Sequence, residues 1–170
     1  MTWSNSFRAT PMAAKPPEWP DLDPDLRNLA AASISQSKPG EYVELHAHSC
    51  FSFLEGASFP DELVLTARLH GYPALALTDH DGLHGAMEFA RIAHENDLKP
   101  ITGAELTLEG GHHLTLLAET LEGYHNLCRL VSYAHMANER GCPITSLDAI
   151  RQHSSGLIAL SGCKQGEVPG

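Results

Sequence analysis

Positive charge is scarce in this chain: 11 Lys and Arg stand against 21 Asp and Glu among 170 residues, a formal net charge of −10. Phosphate affinity needs clustered Lys and Arg, so this balance argues against a free-standing nucleic-acid binder. It does not exclude a nucleic-acid enzyme that works inside a larger assembly. Paired cysteines are also missing. Cys50, Cys128, Cys142 and Cys163 lie far apart with no Cys-x-x-Cys among them, which argues against a zinc ribbon or a thioredoxin-type motif. No long apolar run and no cleavable signal pattern occurs, so neither a membrane span nor secretion is expected. The default reading is a reduced, cytoplasmic protein.

What the chain has in quantity is histidine, 11 residues in all. Their arrangement matters more than their number. Residues 1–40 carry Pro11, Pro16, Pro17, Pro20 and Pro24 with Ser and Ala runs and no sustained periodicity. They read as a poorly ordered leader with a short helix near residues 26–32. Order is expected from Glu41 onward.

Beyond that point strands and helices interleave. Residues 42–47 read as a first strand, and Ser58, Pro60 and Asp61 open a helix with Ser58 as its N-cap and Gly71 as its end. The wholly apolar run 74–77 continues to Thr78 and reads as a buried parallel strand that stops at Asp79-His80. A helix over 85–95, strands over 100–105 and 113–118, helices over 124–138 and 146–152, and a strand over 156–161 follow. This alternation predicts an α/β fold with a largely parallel sheet or barrel. The chain stops just after the fifth strand, which reads as truncation of such a unit.

In parallel α/β folds ligands bind at the carboxyl ends of strands, and the metal-competent side chains collect there. His46 and His48 share a face of the first strand, because strand side chains alternate. Glu55 lies in the next loop, Asp79 and His80 follow the second strand, Glu105 is on the third, and Cys163 closes the fifth. His113 opens the fourth and reaches the same rim if that strand runs the other way. Such a donor set suits zinc, manganese or iron, and clustered divalent ions favour hydrolysis of phosphate esters. Each residue alone also has an ordinary reading: Asp79 as a capping residue, Glu105 as a solvated carboxylate, Cys163 as a small buried hydrophobe. His70 and His94 suit helix ends, and His125, His135 and His153 have no partner spacing. At most one of His112 and His113 points inward, and the place of His84 stays open.

The ordered motifs His46-Ala-His48-Ser-Cys-Phe-Ser-Phe-Leu-Glu-Gly56, Leu77-Thr-Asp-His80, Gly103-Ala-Glu105, His113-Leu-Thr-Leu-Leu-Ala118 and Leu160-Ser-Gly-Cys163 resemble the PHP (polymerase and histidinol phosphatase) domain. The form is similar to that at the amino terminus of bacterial C-family DNA polymerases, and the stretch from Phe51 to Ser58 is closest to their error-prone, damage-tolerant branch. The resemblance covers about residues 41–168. It implies a distorted seven-stranded βα barrel, of which this chain holds the first part, and a trinuclear metal centre with nine ligands. Carried over by motif, those ligands are His46, His48, Glu55, His80, Glu105, His113 and Cys163. Glu55 stands where the polymerase members usually have Asp, and the last two family ligands, an Asp-x-His pair, fall beyond Gly170. Asp79 is expected to orient the loop rather than bind metal.

The resemblance implies DNA-directed DNA synthesis, with magnesium, DNA and replication or repair proteins as partners, for a full-length protein. The PHP part would be a metal-dependent phosphoesterase or 3′–5′ exonuclease-like module that does not bind DNA strongly by itself. A stand-alone PHP phosphoesterase and a non-catalytic, metal-stabilised interaction module are the alternatives.

Overall fold

The computed structural model describes residues 42–161; the expected leader, its short helix and Cys163 lie outside them. The described residues form a mixed α/β fold around one four-stranded sheet of order β1-β2-β3-β4. In chain order the elements are α1 (Pro60–Leu69), β1 (Ala74–Leu77), α2 (Ala86–Glu95), β2 (Lys99–Thr107), β3 (His113–Ala118), α3 (Leu121–Ala137), α4 (Leu147–Gln152) and β4 (Leu157–Ala159). No helix among them is long and apolar enough to cross a membrane.

Helix α1 starts one residue later than expected. The Ser58 carbonyl is held by the Cys50 N–H at 2.8 Å, so Ser58 stays outside the helix. Phe59 takes the cap position, and its N–H donates to the Glu62 carboxylate at 2.8 Å. Pro60 sits in the first turn, where its missing N–H costs nothing. Gly71, at φ 71, lets the chain leave the helix in a left-handed conformation. Helix α3 begins three residues before the expected 124, because the Thr120 hydroxyl accepts from the Gly123 N–H and caps it there. Helix α4 begins at Ser146 as the sequence suggests, its hydroxyl accepting from the Ala149 N–H.

Strand β1 is buried along its whole length and pairs parallel with β2, with α2 as the crossover. The rest of the sheet departs from the largely parallel arrangement expected: β3 runs antiparallel to β2, and β4 antiparallel to β3. The reason is local. Only residues 108–112 join β2 to β3, too few for a crossover, and Gly110 and Gly111 take φ 94 and 82 to turn the chain back as a hairpin.

Two apolar clusters flank the sheet. Val64 and Ala67 of α1 and Phe89 and Ala93 of α2 pack on Leu75 and Leu77. Leu127 and Leu130 of α3 and Ile150 of α4 pack on Ala104 and Leu106 of β2 and Leu114 and Leu116 of β3. Alternation along β2 therefore turns Glu105 and Thr107 away from α3, and pairing in register puts Thr115 and His113 of β3 beside them on that face. The face opposite the second cluster is where polar chemistry collects.

Helix α3 approaches β4 at a point where no side chain fits. A Cβ on Gly123 would run into the Gly156 carbonyl oxygen, which itself accepts from the Glu119 N–H at 2.9 Å. Gly123→Ala should therefore destabilise the chain by about 2 kcal/mol or more, since overpacking of a rigid backbone contact has no cheap relief. Urea unfolding should show a lowered midpoint with an unchanged slope.

Candidate metal centre

The segment before α1 reaches the sheet with one residue too many. The Ala76 N–H donates to the Glu44 carbonyl at 2.9 Å and the Thr78 N–H to the Ala47 carbonyl at 2.8 Å. These donors are two residues apart on the sheet side, but their acceptors are three apart on the incoming chain. The extra residue is a bulge, and it reduces the strand expected over 42–47 to a single parallel bridge between Glu44 and Leu75. The bulge does not separate the two histidines, whose ring centres lie 5.1 Å apart.

Both point at Glu105. His46 Nε2 is 2.6 Å from Oε2, and His48 Nε2 is 3.9 Å from Oε1. His80 arrives by a parallel bridge that extends the β1–β2 register, with its Nδ1 3.2 Å from Oε1. His113 arrives through the antiparallel hairpin, with its Nδ1 2.9 Å from Oε1. The reversed strand is thus what brings His113 to the rim. Glu105 is only 7% exposed, which corrects its reading as a solvated carboxylate.

Two groups result, His46–His48–Glu105 and His80–Glu105–His113, and within each the ligand atoms lie within 4.8 Å of one another. Glu55 stands half-exposed at the edge, its Oε2 3.5 Å from His48 Nδ1 and 3.6 Å from His80 Nδ1. The longer carboxylate thus reaches both histidines. His48 Nε2 is buried and has no hydrogen-bond partner. A buried nitrogen left unpaired is costly, and a cation between it and Glu105 would satisfy it. The donor set and this orphaned atom both fit a divalent ion.

Electrostatics bind the cluster together. Burial alone would raise the Glu105 pKa, but hydrogen bonds from His80 and His113 and the nearby His46 and His48 hold it down at about 2. Contacts with Asp81 and then Glu105 lift His80 to about 10 against the effect of burial. Burial lowers His48, with Glu105 opposing.

The aspartates on either side of His80 have separate tasks. Asp79, fully buried, accepts from the Ser49 N–H at 2.7 Å, the Ser49 hydroxyl at 2.8 Å and the Ser52 hydroxyl at 2.8 Å, so it ties down the loop that follows His48. The orienting role expected of it is what the structure shows; it caps no helix. Asp81 has a role that no sequence motif marks. Its carboxylate accepts from the Thr107 N–H at 2.8 Å and the Thr107 hydroxyl at 2.6 Å, and lies 3.1 Å from His80 Nε2. It sits at φ 48, and the signal in the sequence was its place between His80 and Gly82, where a carboxylate tolerates a left-handed turn. His135 also proves structural, with Nε2 2.7 Å from the Asp81 carbonyl oxygen. His84 stacks on Phe51 and joins neither cluster.

Imidazoles and carboxylates converging from successive strands on one buried glutamate define a histidine-rich centre with the chemistry of a divalent metal site. Residues 44–170 match the family model of the PHP domain, and the chain belongs to that family. It is 51% identical over 144 residues to an error-prone DNA polymerase of Symbiobacterium thermophilum, covering 75% of this chain and 13% of that protein. It is 39% identical over 146 residues to the DNA polymerase III subunit alpha of Thermus aquaticus, covering 76% of this chain and 12% of that protein. The chain thus spans about one eighth of the length of these relatives. A lesion-specific endonuclease from Pyrococcus furiosus superposes with a TM-score of 0.47 at 17% identity, over 69% of this chain and 33% of that one.

The paired shifts set a pH dependence for the metal-free protein. The His80 contribution is complete below its ordinary pKa of 6.5 and is lost as pH rises through about 10. The Glu105 contribution is complete above its ordinary 4.5 and is lost as pH falls through about 2. His48, shifted down, removes some stability as pH falls below 6.5, so the maximum lies toward the upper end of the 4.5–6.5 window. Melting temperatures in EDTA should peak there and fall on both sides, and Glu105→Gln should flatten both limbs. A melting temperature that climbs from pH 6.5 to 10 would contradict the charge assignments.

Proposed function

We propose that this chain is the amino-terminal PHP part of an error-prone C-family DNA polymerase, and that it holds divalent ions and hydrolyses phosphodiesters at a DNA 3′ end. The observation that carries the reading is Glu105, one buried carboxylate shared by two histidine clusters, beside a buried His48 nitrogen without a partner. The 51% identity to a protein named error-prone DNA polymerase supports the assignment of the longer protein. DNA synthesis on primer-template DNA, its magnesium, the replication and repair partners and a cytoplasmic location belong to that longer protein in this proposal. So does completion of the four-stranded sheet into a seven-stranded barrel.

His46, His48 and Glu105 would hold one ion and His80, Glu105 and His113 a second, with Glu55 reaching in from the rim between His48 and His80. Cys163 is a further ligand by family resemblance. Zinc, manganese and iron all suit this donor set. The ions would supply Lewis-acid stabilisation of a phosphoryl group and make water acidic enough to attack near neutral pH.

The protein's own contribution is to fix the ligands. Asp81 Oδ2 beside His80 Nε2 favours keeping the proton on that nitrogen, so the proton on Nδ1, which faces Glu105 and Glu55, is the one a bound ion would displace. Asp79, Ser49 and Ser52 hold the loop that positions Glu55. Thr115 donates a long hydrogen bond of 3.4 Å to Glu105 Oε2.

Elemental analysis after zinc or manganese loading, together with digestion of a 5′-labelled oligonucleotide, tests the proposal. Glu105→Gln should lose most of the metal and reduce hydrolysis by about 100-fold, as removal of a shared ligand must cost at least what loss of a supporting contact does. His48→Ala should lower metal content, while His94→Ala, on the exposed side of α2, should leave it unchanged. Asp81→Asn should weaken metal binding by about tenfold by releasing the His80 tautomer. Full metal content and hydrolysis in Glu105→Gln would overturn the assignment.

A further inference from the structure

The loop between the first histidine pair and α1 presents two apolar side chains to water. Phe53 is 84% exposed, and Leu54 is exposed completely. Leu54 also sits at φ 70, a left-handed conformation that a branched side chain adopts only when its surroundings enforce it.

The surroundings do enforce it. Glu55 and Gly56 N–H groups both donate to the Ser52 carbonyl, at 3.0 and 2.9 Å, and close the turn that contains Phe53 and Leu54. The Ser52 hydroxyl is fixed on Asp79, and the Cys50 N–H is fixed on the Ser58 carbonyl. Gly56 lies so close to the Ser49 carbonyl that a Cβ there would collide with it. The tip is therefore built and held, and the side chains it displays are apolar.

Its position gives the display a use. Glu55 follows Leu54 directly and reaches both His48 and His80, so the apolar tip adjoins the rim of the centre. We propose that Phe53, flanked by Leu54, is a stacking platform for the terminal base of a single-stranded nucleic acid whose phosphodiester lies at the His/Glu clusters. The inference rests on the phosphodiester reading above and names its substrate class.

The charge of the chain limits how such a strand could be held. With 11 cationic side chains against 21 anionic ones, the domain has little Lys and Arg to attract a phosphate backbone. Base–aromatic stacking needs no charge and is tolerant of sequence, because every base offers a π-face. A small phosphate ester without a base would gain nothing from an exposed phenylalanine. A nucleotide at the end of a strand gains a second point of attachment.

The test uses the full chain loaded with manganese and two non-hydrolysable phosphorothioate oligonucleotides, labelled at the 5′ end. One carries a normal 3′-terminal base, and the other is abasic at that position. Fluorescence anisotropy should give the base-bearing strand about fivefold or greater tighter binding to the unsubstituted protein, the fold-change that one lost stack produces. Phe53→Ala should abolish the difference between the two strands while metal content and melting temperature stay unchanged, and Phe53→Trp should keep it. Equal binding of both strands by the metal-loaded protein overturns the platform and leaves the metal centre standing. Equal weakening of both strands by Phe53→Ala also overturns it. Failure to take up metal at all overturns the centre and, with it, the platform.

Discussion

A carboxylate buried to 7% exposure cannot keep its charge in a protein interior without partners, and Glu105 is such a group. Its two oxygens meet His46 at 2.6 Å, His113 at 2.9 Å and His80 at 3.2 Å, with His48 Nε2 standing off at 3.9 Å. Three structural devices bring these neighbours in: a bulged segment, an antiparallel hairpin and a parallel bridge. Holding one ionised carboxylate in place therefore constrains the entry of the chain, the reversal of β3 and the exit of β1 together. Removing one imidazole leaves part of a buried charge unanswered, which is why the cluster acts as a unit rather than as separate contacts.

Around that unit the polar residues divide their work between positioning and exposure. Asp79 faces the Ser49–Ser52 turn, and Asp81 faces Thr107 and the far nitrogen of His80. A bare His/Glu cluster would be a set of flexible donors. With both aspartates engaged, the imidazole of His80 and the loop bearing Glu55 have defined orientations, as a cluster suited to a metal ion requires. The same loop ends in the apolar tip of Phe53 and Leu54, so orientation of the ligands and presentation of the tip share one set of hydrogen bonds.

Much of the centre was legible in the sequence, and for a simple reason. His80 follows the apolar run 74–77, Glu105 lies on the next strand, and the spacing of His46 and His48 puts them on one face; in an α/β sheet such positions gather on one rim. The strand 74–77 was legible because it is apolar throughout and buried on both faces. The direction of β3 was not, since helix–strand alternation suggests parallel pairing and only the short Gly110-Gly111 turn opposes it. The bulge near His46 left no mark in composition, because it exists only as a mismatch between hydrogen-bond partners on two segments. Ser58 looked like a cap and was displaced by a carbonyl contact to Cys50, a tertiary effect that local preference cannot register. Asp81 was hidden because Thr107, which donates both its N–H and its hydroxyl to the carboxylate, meets it only through the β1–β2 register.

The central claim is that Glu105 is shared between two metal sites. Anomalous scattering from crystals of the chain grown with zinc, recorded on both sides of the absorption edge, tests it most directly. The account predicts two peaks, one among His46, His48 and Glu105 and one among His80, Glu105 and His113, with Glu105 common to both. Peaks that avoid Glu105 would contradict it. So would the absence of any peak in a crystal whose four histidines still surround the Glu105 carboxylate at 2.6 to 3.9 Å.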